Sequence, residues 1–126
     1  MGKDFADKLY EILLDTSLED DVYRALADRT RRYAVYTLLE WNRVSMDELA
    51  DVLTGWLHAS EYRMATPTDR QQVVTELRHE HVEMLRKAGL ASYDSNENRL
   101  VLPELSRPVD RLLRWARANE YSTDAN

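Results

Sequence analysis

Cysteine is absent from the chain, and glycine and proline each occur only three times in 126 residues. Without cysteine there is no disulfide, no thiolate metal site and no thiol nucleophile. Three isolated glycines do not make a glycine-rich phosphate loop, which removes that route to nucleotide binding. No apolar run approaches the roughly 18 residues a membrane helix needs. The first ten residues, MGKDFADKLY, carry too much charge for a secretory signal. A soluble, cytoplasmic protein is the expectation. Lysine is scarce too: Lys3, Lys8 and Lys87 stand among 17 basic residues, against 23 acidic ones. Low lysine beside a net charge of −6 suggests adaptation to high salt. It also counts against a nucleic-acid partner unless basic residues are gathered locally.

Hydrophobic residues make up 44% of the chain and charged residues 32%, a globular composition that fits a single domain over residues 1–126. Apolar residues recur at helical spacing through most of it. Phe5, Leu9, Ile12 and Leu13 mark a helix over about 4–14. Leu18, Val22, Leu26 and Ala27 mark a second, which Asp28 ends while capping a third. That third helix carries Tyr33, Val35, Tyr36, Leu38, Leu39 and Trp41, and is the expected core helix. Val44 reads as an extended link. Ser45, with Glu48 three residues on, opens a fourth helix. Its apolar face (Met46, Leu49, Ala50, Leu53, Trp56, Leu57) runs on past Gly55.

A loop is expected from Ser60 to Pro67. Thr68 then caps a long helix over about 69–88, with Val73, Val74, Leu77, His81, Met84 and Leu85 turned inward. Gly89 stands where a left-handed C-terminal residue belongs, and Leu90 can fold back on the last turn. Residues 90–93 and 99–102 read as strands joined by the turn residues Asp94 to Asn98. Pro103 stops the second strand. Pro108 opens a last helix over about 107–121, with Val109, Leu112, Leu113 and Ala116 on its apolar side. The fold class is mainly α with a small β-hairpin.

Three stretches resemble winged helix-turn-helix proteins. Leu26-Ala27-Asp28-Arg29-Thr30-Arg31-Arg32-Tyr33, followed by Leu38-Leu39, resembles the first core helix of arsenic-repressor-like regulators. Val44-Ser45-Met46-Asp47-Glu48-Leu49-Ala50 resembles their second helix. His81 to Leu90 resembles the end of their recognition helix, and the hairpin resembles their wing. A nearer likeness is to a family of small, uncharacterised winged-helix domains of halophilic archaea, regarded as transcription regulators. The likeness covers about residues 18–102. It implies a winged helix-turn-helix with extra N- and C-terminal helices, helix 69–88 in the major groove of double-stranded DNA, and wing 90–102 on the backbone. It also implies a homodimer formed through the terminal helices, for which the apolar sides of 4–14 and 107–121 offer surface. The chain departs from the regulator pattern between Leu53 and Val73, where helix and loop replace a tight turn. The cysteine ligands of metal-sensing members are missing.

The DNA-contact candidates are Arg70, Gln71, Thr75 and Arg78 on the long helix, Arg99 on the wing, and Arg31 and Arg32 in the region that lies near the backbone in that family. Arginine reads guanine and glutamine reads adenine through paired hydrogen bonds. Asp69, Glu76, Glu80 and Glu83 share the long helix, so a solvated face of mixed charge accounts for it equally well. Asp20, Asp21 or Asp28 are alternative partners for Arg31 and Arg32. A cation at a helix start opposes the helix dipole, so helix stability does not explain that cluster. Arg107, Arg111, Arg114 and Arg117 lie along one side of the last helix and suit either DNA or an acidic partner.

His79 and His81, two apart on a helix, point in different directions and make poor metal ligands. His81 reads as a hydrogen-bonded core residue. No catalytic motif stands out, so no enzyme, cofactor or metal is expected. The competing expectation is a winged-helix protein-interaction module that does not bind DNA.

Overall fold

The computed structural model describes residue 7, residues 20–59 and residues 64–124. Apart from Asp7, the helix expected over 4–14 lies outside the described residues, as do Ser60 to Arg63 of the expected loop. The elements are α1 (Asp20–Leu26), α2 (Arg29–Trp41), β1 (Arg43–Ser45), α3 (Met46–His58), α4 (Pro67–Glu76), a π-helical turn (Leu77–His81), α5 (Val82–Lys87), β2 (Ser92–Asp94), β3 (Arg99–Val101) and α6 (Arg107–Asp124). The chain is thus mostly helical, with one small antiparallel sheet.

Local chemistry sets most boundaries. Asp28 caps α2 by accepting the amide of Arg31 at 3.1 Å. Asn42 ends α2 in the left-handed region (φ 66°), where asparagine is tolerated, and its amide donates to the carbonyl of Leu38. Ser45 caps α3 by accepting from the amide of Glu48. The cap of α4 is Thr66, not Thr68 as the sequence suggested. Thr66 and Asp69 form a reciprocal capping box, and Pro67 fills the first helical position, where its missing N–H costs nothing.

Helical backbone is continuous from Pro67 to Lys87, but one turn is widened: the amide of Val82 donates to the carbonyl of Leu77. Leu77, His81 and Leu85 are buried, four residues apart, across and beyond that turn. Gly89 (φ 72°) closes α5 with both bonds of a Schellman cap. Its amide donates to the Arg86 carbonyl, and that of Leu90 donates to Leu85 at 2.9 Å. Leu90 is fully buried, the hydrophobic contact that often accompanies this cap.

The hairpin forms as expected, but Val44 belongs to a strand rather than a link. β3 lies between β1 and β2. Leu100 pairs with Val44 on one side and with Tyr93 on the other, so the three side chains share one face of the sheet. Val44 and Leu100 end in the core, and Tyr93 continues their row to the outer edge. Two further bonds fasten the sheet at its corners: the amide of Met46 donates to the Asn98 carbonyl, and that of Leu102 to Asn42.

The core gathers Leu26, Leu38, Leu49, Leu53, Leu77, Leu85 and Leu100 with Leu112 and Leu113 of α6. Trp41 and Trp56, expected inward, are 49% and 42% exposed. Trp41 is the final residue of α2, beyond the last fully buried turn at Leu38. Trp56 leans edge-on against Tyr33, with ring centroids 5.5 Å apart, and buries one side only.

Candidate nucleic-acid interface

Packing of α4 against α3 and of α5 against α1 leaves one long side of the helix from Pro67 to Lys87 facing outward. Gln71, Thr75 and Arg78 are exposed there at intervals of four and three residues, which places them on one stripe. The Thr75 hydroxyl donates to the Gln71 carbonyl at 2.9 Å and lies within reach of its side-chain amide. Arg78 has no acidic partner among the described residues. It points beside the β2–β3 hairpin, at a groove of about 400 Å3 lined by Met46, Arg78, Val82, Tyr93 and Asn98.

The other candidate arginines are placed differently. Arg70 is turned toward α3, donating to Asp51 at 2.6 Å and reaching the Asp47 carboxylate at 3.6 Å. Its bond to the Asp51 carboxylate raises the pKa of this guanidinium above its ordinary value. Arg70 thus fastens α4 to α3. Arg99 on β3 faces Asp94 of β2 at 3.5 Å, and its Nε is buried without a hydrogen bond. The acids of the helix are also partly occupied: Glu83 accepts from Arg86 at 2.6 Å, and Glu76 from Gln72.

Arg31 and Arg32 are removed from the DNA-contact set. Both are buried, at 6% and 8% exposure. Arg31 donates to the carbonyls of Ala25 and Arg24 and to Nδ1 of His81, and lies 3.6 Å from Glu80. A guanidinium only donates, so Nδ1 of His81 is the acceptor and the ring proton belongs on Nε2. Arg32 donates to the carbonyls of Leu26 and Ala27, and grips Glu120 of α6 through Nε and Nη2 at 2.8 and 3.0 Å. Tyr36 adds a third bond to that carboxylate at 2.7 Å. Burial, with Glu120 as acceptor, drives the Tyr36 hydroxyl far above the usual phenol range.

On α6, Leu112, Leu113 and Ala116 are buried within the chain, so this apolar side is not free to form the dimer that the sequence suggested. Val109 packs against the same core. Arg114 pairs with Asp110 and Arg117 with Glu40. Arg107 and Arg111 remain exposed, with no acidic partner among the described residues. His81 is the core histidine expected. His58 contacts the Thr54 carbonyl through Nδ1 and approaches Asp69 at 3.7 Å. No cluster of three or more potential metal ligands exists among the described residues, and none of their helices is long and apolar enough to cross a membrane.

The groove between helix and hairpin is not signalled by the sequence as a whole. Its one available signal is Tyr93, which stands two residues beyond buried Ala91 and so on the same face, the face it shares with its pairing partner Leu100.

Residues 23–101 match the family described as Domain of unknown function (DUF7344), and the chain belongs to that family. No curated protein and no solved structure matches the chain.

Proposed function

We propose that this member of the DUF7344 family is a cytoplasmic DNA-binding transcription regulator of winged helix-turn-helix form. The helix from Pro67 to Lys87 enters the major groove, and the β2–β3 hairpin rests on the flanking backbone. Gln71 and Thr75 meet base edges, while Arg78 and Arg99 meet phosphates. The observation that carries the reading is the exposed Gln71–Thr75–Arg78 stripe on a helix that passes through the Gly89 cap straight into a hairpin. A homodimer doubles this modest basic surface and suits a palindromic site. Its contact surface must lie elsewhere than the buried side of α6.

A second reading is an interaction module without DNA binding. It is favoured by the acids flanking the stripe: Asp47 and Asp51 hold Arg70, and Glu80 and Glu83 occupy the second half of the helix. Electrophoretic mobility of a random duplex pool at low salt separates the two. A regulator retards the pool, and Arg78→Gln weakens the retardation. A module leaves the pool unretarded at every salt concentration.

A further inference from the structure

We propose that the groove between α5 and the wing is a binding site for a small molecule with an apolar, ring-sized body and a carboxylate. Three of the five described residues that line it, Met46, Val82 and Tyr93, present hydrocarbon or an aromatic face. The two polar ones supply hydrogen-bond donors. Arg78 is a guanidinium without an acidic partner among the described residues, and a guanidinium accepts nothing. Asn98 already uses its side-chain oxygen to accept from the Tyr93 hydroxyl at 2.7 Å, so its amide NH2 is the group left for a ligand. Among the described residues, no acidic side chain lines the groove. A cation and an amide donor above apolar walls call for an acceptor that is anionic at one end and apolar at the other. The planar fork of Arg78 matches a carboxylate.

The site is also built in advance. Asn98 sits in the left-handed region (φ 49°), and its carbonyl accepts from the amide of Met46, which ties the wing to the start of α3. Tyr93 is held by its pairing with Leu100 and by its bond to Asn98. A groove of about 400 Å3 falls at the small end of ligand pockets, which run from roughly 300 to 1,000 Å3, and suits a benzoate-sized body. A lone phosphate would leave the Met46–Val82–Tyr93 walls uncovered. Where the regulator reading holds, ligand and DNA compete for Arg78, so the ligand is an effector that releases DNA. That regulatory clause rests on the proposed function; the binding site itself does not.

The test is a titration of isotope-labelled protein with sodium benzoate, followed by amide chemical shifts at constant ionic strength without DNA. Sodium acetate (charge without body) and benzyl alcohol (body without charge) are the controls. The expected result is saturable movement of the Val82, Tyr93 and Asn98 signals, with a Kd of about 1 mM or below. Each control binds about tenfold more weakly or worse. Val82→Trp, which fills the groove, abolishes the shifts. Arg78→Gln, an exposed change that leaves the core untouched, weakens binding about tenfold. Absent saturation, equal binding of acetate, or shifts that survive both variants overturn the site. Adding a duplex separates the two claims. Benzoate binding without any duplex binding upholds the site and removes the regulator reading, whereas duplex binding unaffected by saturating benzoate overturns the effector clause.

Discussion

Arg31 and Arg32 stand at the positive end of α2 without straining it, because their guanidinium groups reach back to the negative end of α1. Between them they donate to the carbonyls of Arg24, Ala25, Leu26 and Ala27, which an ending helix leaves without partners. The sequence shows the cluster and its conflict with the α2 dipole. The resolution is not legible there, because Arg32 finds Glu120 88 residues away and Arg31 finds His81 50 residues away.

The consequence is a measurable dependence on Glu120. Glu120→Ala takes the carboxylate from a buried arginine and lowers stability by about 3 kcal/mol, read from urea unfolding midpoints. Tyr36 gives a pH signature. Its hydroxyl stays protonated in the fold, whereas an unfolded tyrosine ionises near pH 10. The folded state therefore binds the extra proton at high pH. Tyr36's contribution to stability is fully present below about pH 10 and falls above it, by about 1.4 kcal/mol per pH unit at the steepest. Urea midpoints measured between pH 8 and 11 should show this decline, and Tyr36→Phe should reduce it.

At the scale of elements, whatever depends on neighbours in the chain can be read from the sequence. The Asp28 and Ser45 caps, the passage of α3 through Gly55, the Gly89 cap and the hairpin all follow from spacing and turn chemistry. β1 could not be read, since a three-residue strand takes its identity from β3, more than fifty residues onward. The π turn was equally hidden. It is one widened turn in a sequence whose apolar spacing still reads as a plain helix. The exposure of Trp41 and Trp56 depends on where neighbouring helices stop, which periodicity does not encode.

The two described glycines provide opposite expectations for one substitution. Gly55 lies inside α3, exposed, with open space where a Cβ would go, so Gly55→Ala stabilises by about 0.5–1 kcal/mol. Gly89 also has open space, but its φ of 72° strains any L-residue, so Gly89→Ala destabilises by about 1 kcal/mol. Thermal unfolding of the two variants should shift Tm in opposite directions.

For the molecule as a whole, pairing matters more than charge count. Arginines that look alike in the sequence are spent on capping α1, fastening α4 to α3, and anchoring α6 to α2. Of the seven residues expected to meet DNA, Gln71, Thr75 and Arg78 keep an open stripe, and Arg99 keeps a place on the hairpin beside Asp94. Residue types and helix phase made that stripe legible; the fate of Arg31, Arg32 and Arg70 required the partners that folding brings to them. A regulator of the proposed form depends heavily on Arg78, which has no acidic partner among the described residues and stands beside the β2–β3 hairpin.

The most direct measurement is fluorescence anisotropy of a labelled duplex across a salt series, comparing the unaltered protein with Arg78→Gln. A dimer engaging four phosphates through Arg78 and Arg99 gives a slope of log affinity against log salt of about −3.6, and loss of Arg78 from both protomers brings it to about −1.8. Absence of binding at low salt, or a slope that Arg78→Gln leaves unchanged, contradicts the account.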